Sequence, residues 1–190
     1  MVLLSGVWNL ISFDYLINGT SILQPNGPHP LGKIAIMPEG YLSVQITTPE
    51  AAVPIPNDVK WGDATDEAIA AIARPYVSYC GSYNTSYVGE QLVITTSVDV
   101  ALDPSWMTRP QVRNVTFVEE NGKQYMILNP VGTIPMTLPV SSSFQHYPVS
   151  LTYCFTNSKF PKGNITGDVL SVLKWEKEIN TCRKGDAVAR

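Results

Sequence analysis

The chain has 190 residues, of which 44% are hydrophobic and only 15% charged, and its formal net charge is -3. A chain of this length forms one domain by default, and its composition excludes a disordered chain or a coiled coil. The acidic balance disfavours nucleic acid as a main partner, because phosphate binding requires a basic face. No apolar run reaches the ~20 residues of a membrane span.

The first quarter of the chain predicts one strand and one hairpin. In residues 6–17, a simple alternation places Trp8 and Asp14 on the same face of a strand. Residues 22–31 are rich in proline and predict a loop. Residues 32–46 contain two apolar-rich runs around a Pro-Glu-Gly turn, which is typical of a β-hairpin.

Residues 63–74 predict a helix, because acids lie in the first turn and alanine and isoleucine follow on one side. Asp63 or Thr65 can cap its start, and Pro75 ends it. We expect this helix of about three turns to lie on a sheet as a lid or plug.

The stretch from residue 76 to residue 117 is the most informative part of the sequence. Three runs rich in β-branched and aromatic residues, at 76–83, 92–100 and 111–117, predict consecutive antiparallel strands. Their alternating positions mix apolar side chains with Tyr, Thr, Asp, Gln and Arg. A solid core does not need this mixture, whereas a cavity that holds a ligand does.

The last third of the chain predicts more strands around a long loop. Residues 123–128 follow an Asn-Gly turn and form a hairpin partner for the preceding strand. Residues 131–149 are rich in proline and serine and predict an excursion, 150–155 predict a strand, and 168–176 predict a strong terminal strand. Residues 180–190 predict a flexible tail.

These segments predict an all-β fold of eight to ten antiparallel strands with one short helix, because no βαβ rhythm is present. A single closed up-and-down barrel is the simplest arrangement without sheet edges, and about eight strands can enclose one small ligand. A two-sheet sandwich is the alternative. We expect one barrel domain over residues 1–179, followed by the tail.

Cysteine usage and the N-terminus predict a cytoplasmic protein. The N-terminus lacks the charged segment and long apolar run of a signal peptide, so we interpret four Asn-x-Ser/Thr sequons as chance matches. The odd number of cysteines and the absence of metal-ligand spacing predict free thiols in a reducing compartment. The cysteines are Cys80, Cys154 and Cys182.

Six segments in order resemble the lipocalin-like domain family of small single-domain barrels. They are Gly6-Val7-Trp8-Asn9-Leu10-Ile11-Ser12, Gly40-Tyr41-Leu42-Ser43-Val44-Gln45, Tyr79-Cys80-Gly81-Ser82-Tyr83, Pro104-Ser105-Trp106, Gln111-Val112-Arg113 and Leu173-Lys174-Trp175-Glu176. The resemblance covers most of the chain. Two features depart from it: Thr96 stands where such domains often carry histidine, and residues 131–161 look like an insertion.

The resemblance implies a barrel with an internal pocket and a range of functions. Fungal members sit among natural-product biosynthetic enzymes, and barrels of this kind act as cyclases or isomerases on polyketide or terpenoid intermediates. By this fold-level analogy, we expect a cofactor-independent cyclase or isomerase of a small lipophilic intermediate. The alternatives are a non-catalytic carrier of a small hydrophobic ligand and a structural protein with a filled barrel. A homodimer is compatible with each.

Arg113 is the leading candidate for a catalytic residue. The alternation of its strand places it on one face with Gln111, Val115 and Phe117, which carries the larger apolar side chains and therefore points inward. A buried guanidinium needs acceptors. It either forms a structural ion pair with Asp99 or Glu176, or clamps a carbonyl or enolate oxygen as charge develops.

Three further residues complete the catalytic candidates. Tyr79 and Tyr83 share a face across Gly81 and either donate a proton to a substrate oxygen or act as core aromatics. Asp99 lies in an apolar run and is either a general base facing the cavity or an exposed polar residue of the strand. We expect these residues to contribute to one cavity with Arg113.

The candidates for substrate binding are Tyr41, Trp106, His146, Phe117 and Trp175, with Trp106 and His146 at the mouth of the barrel. No nucleophile elbow, phosphate loop or dinucleotide fingerprint is present, and only two histidines occur. The sequence therefore predicts no metal and no nucleotide cofactor.

Overall fold

Pairing between the first strand and the last closes the sheet of this computed structural model, which describes residues 4–140 and 163–178. The elements are β1 (Gly6–Ile17), β2 (Thr20–Leu23), β3 (Leu31–Met37), β4 (Tyr41–Thr47), α1 (Asp66–Ala73), β5 (Val77–Val88), β6 (Gln91–Ala101), β7 (Gln111–Glu120), β8 (Lys123–Pro130), β9 (Ile134–Val140) and β10 (Gly163–Lys177). The closed ring runs β1-β3-β4-β5-β6-β7-β8-β10 and returns to β1. The predicted antiparallel barrel is therefore confirmed, and the sandwich alternative is wrong.

A β-bulge in β1 changes which residues of that strand face the interior. Leu10 lies opposite Trp175 of β10, but Ser12 lies opposite Lys174, so Ile11 is an extra residue and is 41% exposed. One extra residue reverses the alternation of side chains. Trp8 and Leu10 are buried before the bulge, and Phe13 packs against the core after it. The prediction that Trp8 and Asp14 share one face is therefore wrong.

Two short strands, β2 and β9, lie where the sequence predicted loops. β2 pairs with the end of β1, and β9 pairs with the first seven residues of β10 from Gly163 to Val169. β9 contains Pro135 and Pro139, which disguise it in the sequence. Proline is tolerated on an edge strand because its nitrogen can face away from the ladder. β10 consequently begins five residues before its predicted start.

The predicted helix is present in a shorter form. Thr65 is the cap, and its hydroxyl accepts from the backbone N–H of Ala68 at 3.3 Å. Asp63 instead ends a separate 3-10 turn, Trp61–Asp63. α1 packs against another 3-10 turn, Pro49–Ala51. No described helix is long and apolar enough to cross a lipid bilayer.

One half of the barrel is filled by side chains. Trp8 is 1% exposed, and its indole N–H donates to the carbonyl of Leu4 at 3.0 Å. The ring of Phe117 lies 6.0 Å from that of Trp8, and Met126 is fully buried beside them in the same cluster. The ammonium of Lys177 lies 5.1 Å from the centroid of the Trp8 ring. The barrel interior around Trp8 is therefore occupied by protein side chains.

Three sequence predictions concern residues outside the described ranges. They are the strand at 150–155, the tail at 180–190 and the thiols of Cys154 and Cys182. Cys80 is described and is a free thiol. The domain boundary at residue 179 stays a prediction.

We expect Gly81→Ala to lower the free energy of unfolding by about 3 kcal/mol, because a buried site cannot absorb an extra methyl group without moving backbone. Gly81 lies at a second bulge, where Cys80 is opposite Val100 but Gly81 is opposite Val98. A Cβ at Gly81 would overlap the carbonyl of Ser97. Urea unfolding measures the change.

Gly62→Ala is the matched control, because no atom lies within 4 Å of a Cβ built there. Its unfolding midpoint should match that of the wild type. Equal stability of the two variants would show that the strands at the second bulge can separate without cost.

Candidate functional site

The other half of the barrel contains a cavity of about 410 Å³. Its deep wall is formed by buried side chains of four strands, Ile34, Val44, Leu128 and Trp175. The mouth is formed by lining residues that are exposed or half-buried, Trp106, Arg109, Pro110 and Pro130. A cleft of this size and lining can enclose a small organic molecule. Among the described residues, none of α1 lines the cavity, so the expected lid is not formed by this helix.

Arg113 reaches the cavity because of the regular alternation of β7. Gln111 and Arg113 line the cavity, Val115 is buried, and Phe117 packs against the core. All four lie on the inner face, as the sequence predicted. The strand therefore carries a polar pair in the open half of the barrel and an apolar pair in the filled half.

The guanidinium of Arg113 is held by neutral acceptors. Its Nη1 donates to the carbonyl of Val112 at 2.9 Å, and its Nη2 donates to Oε1 of Gln111 at 3.3 Å. The predicted ion pair is wrong for both partners in the described structure. Glu176 pairs with Lys123 at 2.9 Å, and Asp99 is exposed. The positive charge of Arg113 thus stays uncompensated by these carboxylates.

Tyr79 lines the same cavity as Arg113 and contacts Trp106 at the mouth. Its ring centroid is 5.2 Å from that of Trp106, with the planes tilted by 55°. Burial raises the pKa of the Tyr79 phenol, and the nearby charge of Arg113 partly opposes this rise. The phenol is therefore protonated at neutral pH and can donate a proton or a hydrogen bond.

Tyr83 and Phe117 lie away from the cavity, in the filled half. The hydroxyl of Tyr83 donates to the carbonyl of Met37 at 2.8 Å, and Phe117 packs against Trp8. Tyr83 lies opposite Thr96, which is buried. The expectation that Tyr83 and Tyr79 contribute to one cavity is therefore wrong, although both lie on the inner face.

Tyr41 and Asp99 lie on the outer surface, so the expectation that they face the cavity is wrong. Leu42 and Val44 of β4 point inward, which turns Tyr41 outward. In β6, Val98 is buried, whereas Asp99 is the extra residue of a bulge and is exposed. The hydroxyl of Tyr41 donates to Sγ of Cys80 at 3.4 Å. This hydrogen bond is the largest cause that raises the pKa of Tyr41 to about 12, and Asp99 adds to it.

Trp106 and Trp175 both line the cavity, at its mouth and its deep wall. His146, the other candidate for the mouth, lies outside the described residues. The roles assigned to these residues in substrate binding or catalysis stay predictions.

Sequence reasoning missed several residues of the cavity. Phe13 and Tyr15 line it because of the bulge at Ile11, which strict alternation cannot reveal. Asn26 comes from the proline-rich loop, where its amide donates to the carbonyl of Pro75 at 3.2 Å. Arg109 could have been predicted from the sequence, because it lies three residues after Trp106, which was expected at the mouth of the barrel.

The described lining of the cavity contains two arginines, Arg109 and Arg113, and no carboxylate. Within the described ranges, no group of three His, Cys, Asp or Glu side chains is placed to hold a metal ion. The expectation that no metal or cofactor is bound stays a prediction. The site has a positive electrostatic character and can donate, rather than accept, hydrogen bonds through its charged groups.

Comparison with known proteins identifies one family. A family model described as a lipocalin-like domain matches residues 5–137, which include β1 to β8. No curated protein and no solved structure matches the chain. The matched segment therefore supplies seven of the eight strands of the closed ring, and β10 completes it.

Tyr41 should ionise at about pH 12, against a usual value of 10.0, and Cys80→Ala should bring its pKa back towards that value. The reason is that the variant removes the thiol that accepts from the phenol. An alkaline titration followed by ultraviolet absorbance measures the change, and Tyr41→Phe identifies the transition. A titration that Cys80→Ala leaves unchanged would contradict this.

Proposed function

The chain belongs to the lipocalin-like domain family, and from that premise we propose that its barrel binds a small lipophilic molecule in the cavity. The observation that supports this is the division of the barrel into a filled half and an open half. A protein that only needed a stable barrel would fill both halves, because unfilled apolar volume costs stability. The binding of a ligand would account for a cavity that otherwise only lowers the stability of the barrel.

The lining suits a molecule with a large apolar surface. Aromatic side chains stand at the mouth and on the walls, and aliphatic side chains form the deep wall. Polar side chains line a smaller part of the space than apolar ones, and they include those of Tyr79, Gln111 and Arg113. Sites of this composition gain affinity from apolar contact and orientation from a few polar groups. A cytoplasmic location and a homodimer stay predictions.

A second candidate function is that of a cofactor-independent cyclase or isomerase of a polyketide or terpenoid intermediate. A protonated phenol and a guanidinium without a described carboxylate partner favour it, because both line one cavity. Tyr79 would donate a proton to a substrate oxygen, and Arg113 would stabilise the charge that develops there. The enclosed space would restrict the substrate to reactive conformations.

Filling the cavity should abolish ligand binding. Val77 lines the cavity, so Val77→Trp should weaken the binding of the neutral lipophilic dye Nile red at least tenfold. Fluorescence titration measures the affinity. Ser78→Trp is the matched control, because Ser78 lies opposite the exposed Gln45 on the outer face. Equal binding by both variants would place the ligand outside the barrel.

Enolisation of a lipophilic ketone tests the catalytic candidate. With β-tetralone in D2O, solvent removes the α-proton while Tyr79 protonates the carbonyl oxygen, and the reverse step places deuterium on carbon. Tyr79→Phe and Arg113→Met should each slow this exchange by about a hundredfold, comparable to the loss of one oxyanion donor. Proton NMR follows the exchange.

Tyr83→Phe is the control for the enolisation test, because its hydroxyl bonds the Met37 carbonyl away from the cavity. It should exchange at the wild-type rate. Wild-type protein that does not accelerate exchange over buffer would reject catalysis of this reaction, while leaving the binding proposal to the dye experiment.

A further inference from the structure

Two buried tryptophans differ in the state of their indole N–H groups. Trp8 and Trp175 are each 1% exposed. The N–H of Trp8 donates to the Leu4 carbonyl at 3.0 Å, whereas the N–H of Trp175 finds no acceptor. In the part of the chain that the structure describes, it is the one buried side-chain nitrogen or oxygen without a hydrogen-bond partner.

An orphaned buried N–H is rare, because its removal from water costs free energy that no bond returns. The neighbours of Trp175 across the strands are Leu10 and Met126, whose side chains offer no oxygen. Trp175 also forms part of the cavity wall. A molecule in the cavity can supply the missing acceptor once the atoms that cover this N–H move aside, because the nitrogen itself has almost no exposed surface.

The charge of the cavity indicates what kind of acceptor this is. Arg113 on the wall and Arg109 at the mouth carry positive charge, and no described lining residue carries negative charge. The acceptors of Arg113 are a backbone carbonyl and an amide oxygen, both neutral. A half-buried guanidinium in this setting favours an anion, because hydrogen bonds to a charged acceptor are stronger than those to a neutral one.

We propose that the ligand is a lipophilic acid, whose ionised oxygen accepts a hydrogen bond from the indole N–H of Trp175 while Arg113 balances its negative charge. This deepens the proposed function and rests on it. A carboxylate and an ionised enol share this chemistry. The apolar remainder of the ligand contacts the aliphatic and aromatic walls, with Trp106 above it at the mouth.

Decanoate and decanol are the probes, because they share a chain and differ in the charge of the head group at neutral pH. Isothermal titration calorimetry measures both affinities. Wild-type protein should bind decanoate at least tenfold more tightly than decanol. Equal affinities would overturn the inference and leave the proposed binding site standing. Binding of neither probe would overturn both.

Trp175→Phe keeps an aromatic ring and deletes the N–H. It should reduce the preference for decanoate over decanol about tenfold, and Arg113→Met should do the same by deleting the charge. Trp8→Phe is the matched control: it removes a buried indole N–H in the filled half and should leave the preference unchanged. Thermal unfolding confirms that each variant is folded.

A preference that survives Trp175→Phe at the wild-type level would overturn the role of the indole. A preference lost equally in Trp8→Phe would show that both changes act through the fold, and this too would overturn the inference. The wild-type comparison needs no variant, so the choice between acid and alcohol is decided even if a variant does not fold.

Discussion

The closure of the sheet between β1 and β10 is the constraint on which the rest of the structure depends. β1 gives one side of its backbone to β3 and the other to β10, so the eight strands form a ring without an open edge. The closed ring encloses an interior, so strand alternation in these eight strands becomes a division between the interior of the barrel and its surface. Trp8 and Trp175 stand on these two strands, so the closure also positions the two largest buried side chains of the barrel.

Within that ring, the two halves meet different physical demands. In the filled half, Trp8, Phe117 and Met126 pack together, and the buried indole N–H of Trp8 has the Leu4 carbonyl as its partner. In the open half, the wall residues include Trp175, whose buried indole N–H has no acceptor, and Arg113, whose guanidinium donates to two neutral oxygens. The close packing of the filled half offsets the loss of stability caused by the empty volume of the open half. A stable scaffold and a site with unmet hydrogen-bonding capacity thus coexist in one small domain.

How much the sequence predicts depends on whether a strand is regular. β7 has no bulge, so alternation alone placed Gln111 and Arg113 inside. β1 has a bulge at Ile11, whose presence depends on its pairing with β10, and that pairing joins residues more than 150 positions apart. The predicted ion pair between Arg113 and Glu176 was wrong because of strand alternation. Glu176 follows the inward-pointing Trp175 and therefore points outward, where it pairs with Lys123. β9 was missed because its prolines argue locally against a strand, although an edge position permits them.

The ring has no edge, but the sheet does where β1 and β10 continue past it and carry β2 and β9. β9 is therefore a place where a second chain could add a strand and begin to aggregate. Pro135 and Pro139 are four residues apart, so their nitrogens point to the same side of the strand. Two missing donors on one side make that strand a poor template for intermolecular pairing. The prolines that make this strand hard to predict from the sequence thus also disfavour pairing of its open edge with a second chain.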